Sequence, residues 1–147
     1  MVYINIKKLN EKAHIPTRGS EYAAGYDLYA CLDGEKLDIP PHTTAKIGTG
    51  LSIAVPNGYF GAIFARSGLA SKRGLAPANK VGVVDSDYRG EVMVALHNHS
   101  ETAQTVAGGE RIAQMVIMPF IRGEFAEAES LSLTDRGDGG FGSTGKM

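Results

Sequence analysis

The chain has 147 residues, a formal net charge of -1 from 15 Lys and Arg against 16 Asp and Glu, and a single cysteine, Cys31. This length predicts one domain with a substantial core, and the balanced charge argues against a nucleic acid polymer or a membrane surface as partner. One cysteine excludes an internal disulfide, no apolar run approaches the ~20 residues that cross a bilayer, and the start lacks a signal-peptide pattern, so we expect a cytoplasmic protein.

Short strands separated by turns are predicted along most of the chain. Val2, Ile4 and Ile6 alternate with polar residues, and this period of two is typical of a strand with one buried face. Turn signals such as Asn57-Gly58 then recur. Further strands are predicted over 24–31, 36–39, 43–47, 51–55, 59–65, 91–98, 102–106 and 111–119, with a loop over 10–23. This spacing favours an all-β sandwich, jelly roll or barrel.

One short helix is predicted over Ser67–Arg73. The segment begins with a residue type that caps helices, contains good helix formers and is followed by Gly74. Backbone N–H groups of its first turn, beside Arg66, are suited to bind an anion. The alternative is a helical connector with a structural role only.

The stretch 81–92, VGVVDSDYRGEV, places Asp85, Asp87 and Tyr88 between two apolar runs. Because β-branched residues alternate on both sides, we predict a hairpin of two strands around this turn. Catalytic groups are commonly carried by loops on a rigid sheet. An Asp-rich turn exposed to solvent is the alternative interpretation.

The C-terminal residues 134–147, TDRGDGGFGSTGKM, contain five glycines and almost nothing that could build a core. We therefore predict a barrel domain over 1–133 and a flexible arm over 134–147. No helix can follow the glycines, so a dinucleotide fingerprint and a Walker A loop are both rejected. Glycine-rich backbone with Arg136 and Phe141 can still contact a phosphate and a flat ring. The alternative is a frayed terminus.

Other metal and nucleophile patterns are weak. His97 and His99 could face the same way on a strand, but no third ligand is near them in sequence, so we do not expect zinc. An EF-hand loop starting at Asp85 would need oxygen ligands where Arg89 and Leu96 stand. Cys31 has no partner pattern of a covalent nucleophile.

Five segments taken together resemble, in order and spacing, the five motifs of the trimeric dUTPases. They are AGYDLYA at 24–30, RSGLASKRG at 66–74, GVVDSDYRGEV at 82–92, GERIAQMVI at 109–117 and RGDGGFGSTG at 136–145. The resemblance implies a jelly-roll-like distorted β-barrel with one short helix and a Gly-rich C-terminal arm, assembled as a homotrimer. It further implies hydrolysis of dUTP to dUMP and pyrophosphate with Mg2+.

The resemblance also implies a role for each matching residue. Asp85 matches the carboxylate that activates the water attacking the α-phosphate, and Asp27 matches the acidic residue that reaches Mg2+ through water. Tyr88 matches the ring that packs on the deoxyribose and excludes a 2'-hydroxyl. The other implied substrate-binding residues are Arg66, Ser67, Gly68 and Gln114 for phosphates, Asn79 and Val84 for uracil, Phe141 as the ring over uracil, and Arg136, Gly142, Ser143 and Thr144 for the γ-phosphate. In the family each site draws on more than one subunit.

Two alternatives stay open. The related dCTP deaminases share the fold and bind a similar nucleotide, but they use a glutamate base and lack the pattern formed by Asp85 and Tyr88. A nucleotide-binding or regulatory module without turnover is the second alternative. The complete set of polar residues argues against lost catalysis, namely Asp27, Ser67, Asp85, Gln114 and Arg136.

Overall fold

Twelve short strands and one helix form the regular structure of the residues described, 3–140, in a computed structural model of the protein. The strands are β1 (Asn5–Lys8), β2 (Thr17–Arg18), β3 (Tyr26–Tyr29), β4 (Lys36–Ile39), β5 (Thr44–Gly48), β6 (Leu51–Ala54), β7 (Tyr59–Phe64), β8 (Leu75–Pro77), β9 (Gly82–Val84), β10 (Met93–Asn98), β11 (Gln104–Ala107) and β12 (Arg111–Pro119). The helix, α1, covers Ser67–Arg73. The predicted all-β class with one short helix is confirmed.

The strands pair antiparallel in four sheets. The largest has the order β2-β3-β12-β7-β9, and a second has the order β5-β10-β8. The remaining two are the pairs β1-β6 and β4-β11. Most paired strands are distant in sequence. The buried apolar side chains of the sheets form one hydrophobic core. In β10, for example, Val94 and Leu96 are buried, whereas Met93, the first residue of the strand, is exposed, as a period of two requires.

Aliphatic side chains from most of the strands fill the core. Burying one such side chain contributes about 1.5–3 kcal/mol. The two buried polar side chains of the described residues have partners: Thr49 Oγ1 donates to Val92 O at 2.7 Å, and Asn98 Nδ2 donates to Ile39 O at 2.9 Å. The largest fully buried apolar side chains are Leu28, Ile39, Ile47, Leu51, Leu75, Leu96, Ile112, Val92, Val94 and Val106.

Helix α1 has the predicted bounds but a different start. Arg66, in extended conformation, is the N-cap, and no side chain caps the first turn, so the expectation that Ser67 caps the helix is wrong. Ser67 is instead the first helical residue, and its carbonyl accepts the Ser71 hydroxyl at 2.7 Å. At the other end Gly74 adopts a left-handed conformation with φ 65° and donates its N–H to Ala70 O, as predicted for a terminating glycine.

The predicted hairpin around residues 81–92 is wrong. Strand β9 pairs with β7, whereas β10 pairs with β5 and β8 in a different sheet. Periodic valines indicate a strand but do not specify its partner, and here each run pairs with a strand distant in sequence. Residues 85–92 therefore form a loop that connects two sheets, which we call the connecting loop.

Smaller differences concern the ends of the chain. The first strand begins at Asn5, and Val2 lies outside the described residues. The short strands β2 and β8 were not predicted. The last strand ends at Pro119, and residues 120–138 are exposed. The proposed boundary after residue 133 stays a prediction.

None of the helical structure within 3–140 has the length and apolar character needed to cross a bilayer.

Candidate active site

A cleft of about 550 Å3 opens beside the start of α1, and we call it the α1 cleft. Strand register brings its walls together, because Gln114 on β12 lies opposite both Asp27 on β3 and Phe64 near the end of β7. The chain then turns from β7 into α1 at the cleft's edge. Five predicted site residues line the α1 cleft: Asp27, Arg66, Ser67, Gly68 and Gln114.

Two guanidinium groups hold the carboxylate of Asp27. Arg66 Nε donates to Asp27 Oδ1 at 2.7 Å, and Arg111 Nη1 donates to Asp27 Oδ2 at 3.2 Å. The Asp27 side chain is only 13% exposed, and hydrogen bonds between ionised groups are the stronger kind. Sequence reasoning missed Arg111, although a charged residue at the start of a mostly apolar strand was an available signal.

Gln114 fixes the peptide just before Arg66. Its Nε2 donates to Ala65 O at 2.9 Å. Gly25 makes room for the amide, because a Cβ at position 25 would overlap Gln114 Oε1. Gln114 and Gly25 together therefore fix the position of the backbone just before α1.

The other end of α1 is anchored by Arg73, a second residue that sequence reasoning missed. Its guanidinium donates to Gln104 Oε1 at 3.2 Å, to Glu110 Oε1 and to the carbonyl of Thr105. Glu110 Oε2 accepts the N–H of Ala107 at 2.9 Å. Since Arg73 and Glu110 also line the α1 cleft, this network fixes one wall of the cleft relative to β11.

A second cleft, of about 320 Å3, lies between β9, β10 and the connecting loop, and we call it the loop cleft. Four predicted site residues line it: Asn79, Val84, Asp85 and Tyr88. Val84 is buried, whereas Asp85 and Tyr88 are exposed. The cleft thus combines an apolar floor with a carboxylate and an aromatic ring at its rim.

Tyr88 is folded back over its own loop. Its N–H donates to Asp85 O at 3.2 Å, and its hydroxyl donates to Glu91 O at 2.9 Å. A Cβ on Gly90 would overlap the Tyr88 hydroxyl, so only glycine fits beneath the ring. The carbonyl of Arg89 accepts the Ser52 hydroxyl at 2.7 Å. These contacts give Tyr88 a fixed position beside Asp85.

Asn79 lies in a tight turn before β9. Lys80 has a left-handed backbone with φ 63°, and its N–H donates to Pro77 O at 3.0 Å. Val81 N–H donates to Asn79 O at 2.7 Å, while Ala78 N–H donates to Ala95 O at 2.8 Å on β10. The turn places Asn79 in the lining of the loop cleft.

The surroundings of Cys31 disfavour its thiolate form. Burial, followed by the negative charges of Glu91 and Asp33, raises the pKa of its thiol. The thiol is therefore protonated at neutral pH, and the thiolate is the reactive form.

Within one chain the structure does not unite all the predicted residues. The α1 cleft and the loop cleft share no lining residue. Arg136 lines neither cleft, and its Nε donates locally to Gly139 O at 2.8 Å. Phe141, Gly142, Ser143 and Thr144 lie outside the described residues.

Comparison with known proteins gives consistent matches. The dUTPase family model matches residues 11–145. The deoxyuridine 5'-triphosphate nucleotidohydrolase of Desulfitobacterium hafniense (strain DSM 10664 / DCB-2) is 55% identical over 132 residues, which cover 89% of this chain and 87% of the relative.

Solved structures give the same fold. A mutant Staphylococcus bacteriophage 80alpha dUTPase with dUpNHpp is 28% identical with a TM-score of 0.91, covering 99% of this chain and 100% of that one. A mutant dUTPase from phage phi11 of S. aureus, described with a coordinated structural Mg(II) ion, is 23% identical with a TM-score of 0.81 over 90% of this chain and 100% of that one.

An all-β fold with these two clefts and this degree of similarity defines a nucleotidohydrolase. The chain belongs to the dUTPase family, as its sequence motifs implied. It is accordingly an enzyme of the dUTP diphosphatase class.

Proposed function

We propose that the protein hydrolyses dUTP to dUMP and pyrophosphate through an Asp85-activated water, with Mg2+, at sites shared between the subunits of a homotrimer. One observation carries the proposal. Outside the arm, the residues predicted to bind phosphates all line the α1 cleft, namely Arg66, Ser67, Gly68 and Gln114. The predicted base, sugar and uracil residues outside the arm all line the loop cleft, namely Asp85, Tyr88, Asn79 and Val84. The bound dUpNHpp, a dUTP analogue, in the phage 80alpha enzyme supports dUTP as the substrate.

The α1 cleft has the chemistry of a triphosphate site. Arg66 and Arg111 converge on one carboxylate, and guanidinium forks also match phosphate oxygens. Ser67 and Gly68 are exposed beside Arg66 and can donate a hydroxyl and backbone N–H groups. In this proposal Gln114 completes the set from β12.

The residues of the α1 cleft fit a magnesium ion that the substrate itself largely holds. Among residues 3–140, no three His, Cys, Asp or Glu side chains surround a common metal position. Mg2+ commonly keeps several waters and is bound through one or two carboxylates plus substrate phosphates, a role that Asp27 can fill through water. The ion, when bound, neutralises charge on the phosphates.

In the loop cleft, Asp85 is the proposed general base. Its exposed carboxylate accepts a proton from the water that attacks the α-phosphorus, and the bond to the leaving pyrophosphate breaks. Tyr88 packs on the deoxyribose and leaves no room for a 2'-hydroxyl. Asn79 and the backbone around Val84 bind the edge of uracil, because unpaired polar groups left by the wrong base provide discrimination.

Two observations support the shared sites. First, neither cleft of a single chain contains the complete set of residues. Second, large apolar side chains after β12 are exposed in the single chain, and such surfaces mark interfaces. These side chains are Ile121, Phe125, Leu131 and Leu133.

The arm over 134–147 is proposed to close the site. Phe141 covers uracil in this proposal, and the γ-phosphate contacts come from Arg136, Gly142, Ser143 and Thr144. A closed arm excludes bulk water from the reacting phosphate. The cytoplasmic location and the absence of a nucleic acid polymer as partner stay predictions.

A steady-state assay with dUTP, UTP, dTTP and dCTP tests the proposal, with pyrophosphate and ammonia both measured. We expect pyrophosphate from dUTP with kcat/KM at least about 100-fold above the other nucleotides, because groups that bind the correct substrate are left unpaired by the others. Ammonia from dCTP would favour the deaminase alternative. Binding of dUTP without products would establish a regulatory module instead.

A further inference from the structure

The side chain of Glu91 is held in a turn that accommodates its carboxylate. Glu91 Oε1 accepts the N–H of Gly50 at 2.7 Å. A Cβ on Gly48 would overlap the same oxygen and lie 3.1 Å from Glu91 Cδ. Gly50 has a left-handed backbone with φ 67°. The turn Gly48–Thr49–Gly50 is therefore shaped around this carboxylate.

The main chain of Glu91 holds the ring that faces the sugar in the proposed complex. Its carbonyl accepts the Tyr88 hydroxyl at 2.9 Å, while the ring lies against Gly90. Glu91 thus binds the Gly48–Gly50 turn through its side chain and the Tyr88 hydroxyl through its carbonyl. The Glu91 carbonyl shares a peptide unit with Val92 N–H, which donates to Leu51 O at 2.8 Å, so the Glu91 carboxylate is the second attachment of this backbone, on the side nearer Tyr88.

The next residue, Val92, is bound to the neighbouring turn by its own backbone hydrogen bonds. Val92 N–H donates to Leu51 O at 2.8 Å, and Val92 O accepts from Thr49 N at 3.1 Å and from Thr49 Oγ1 at 2.7 Å. Strand β10 therefore stays in place without the Glu91 side chain. We therefore expect loss of the Glu91 side chain to act mainly on residues 88–91.

We propose that Glu91 is a positioning residue for Tyr88 and thereby sets discrimination between deoxyribose and ribose. The inference rests on the proposed function, in which Tyr88 packs on the sugar. A ring excludes a hydroxyl only if it cannot move away, and misplacement by about 1 Å can change a rate about 100-fold. The hydrogen bond to Gly50 and the overlap with any side chain at position 48 make this a specific contact.

The test compares kcat/KM for dUTP and UTP in wild-type protein, Glu91→Ala and Glu91→Gln. We expect Glu91→Ala to lower the dUTP/UTP ratio at least about tenfold, because the carbonyl that accepts the Tyr88 hydroxyl remains but loses the side-chain attachment that steadies its residue. Glu91→Gln should restore the ratio to within about threefold, since its amide oxygen still accepts the Gly50 N–H. Melting temperatures measured alongside separate specificity from stability.

Gly48→Ala tests the same contact from the other side. The added methyl group displaces the Glu91 carboxylate, so this variant should show the same loss of discrimination. In the Glu91→Ala background it should add nothing, because the atom with which it collides is gone. This variant also serves if Glu91→Ala does not fold.

An unchanged dUTP/UTP ratio in folded Glu91→Ala or Gly48→Ala would overturn the inference, as would two effects that simply add in the double variant. The proposed function fails differently. Wild-type protein that releases no pyrophosphate from dUTP contradicts it directly. Wild-type discrimination that survives in both variants contradicts only the role of Glu91.

Discussion

Two aspartates in the connecting loop are chemically alike and two positions apart, yet they have different surroundings. Asp85 lines the loop cleft together with Tyr88 and Val84, whereas Asp87 does not line it. Both are exposed. Position relative to the cleft, and not the type of side chain, therefore distinguishes the proposed base from a solvent-exposed turn residue.

Replacing Asp85 by Asn should abolish pyrophosphate release while leaving dUTP binding largely intact, because the variant keeps the shape and loses the base. General-base catalysis contributes typically 10²–10⁴-fold, so kcat should fall by at least about 100-fold. Steady-state kinetics and calorimetric titration with dUpNHpp measure the two quantities. Asp87→Asn is the matched control and should keep kcat; turnover by Asp85→Asn at the wild-type rate would remove Asp85 from the mechanism.

Individual residues were predictable where a motif names them and less so where their role depends on distant contacts. Asp27 and Gln114 were identified by their segments and do meet in the α1 cleft. Arg111 and Glu91 also lie in motif segments, 109–117 and 82–92, but their contacts are with partners in other strands and turns. Periodicity in one sequence contains no information about such contacts.

At the level of elements, strands were easier to predict than their partners. Alternating valines correctly predicted strands on both sides of the connecting loop, but β9 and β10 join different sheets. A side-chain period of two shows which face is buried, and it is satisfied by any partner that covers that face. Strand β8 was not predicted for a different reason: its three residues are too few to show a period.

The entry into α1 gives a prediction at this scale. Gly25→Ala should raise KM for dUTP about tenfold, because the new Cβ displaces the Gln114 amide and removes its hydrogen bond to Ala65 next to Arg66. Steady-state kinetics measures the change. Gly34→Ala is the control, since its nearest contact is Lys36 O at 4.0 Å. An unchanged KM in Gly25→Ala would show that Gln114 does not set the phosphate site.

At the scale of the whole molecule, the described residues share one core, whereas the predicted site residues outside the arm are divided between two clefts. The fold class followed from the number and spacing of short strands. The division of the site residues between two clefts did not, because it depends on how sheets pack. The proposed homotrimer accounts for both the exposed apolar side chains after β12 and the divided site residues. In this proposal another copy of the chain covers those side chains and completes the site.

Complementation between two inactive variants tests this account most directly. Asp85→Asn damages only the loop cleft, and Arg66→Ala damages only the α1 cleft. The two chains are co-expressed with different tags, and trimers that carry both tags are purified. If each site combines the two clefts from different chains, every mixed trimer contains one undamaged site, so pyrophosphate release should recover to about one third of the wild-type rate. Mixed trimers that are as inactive as the two parents would contradict the shared site.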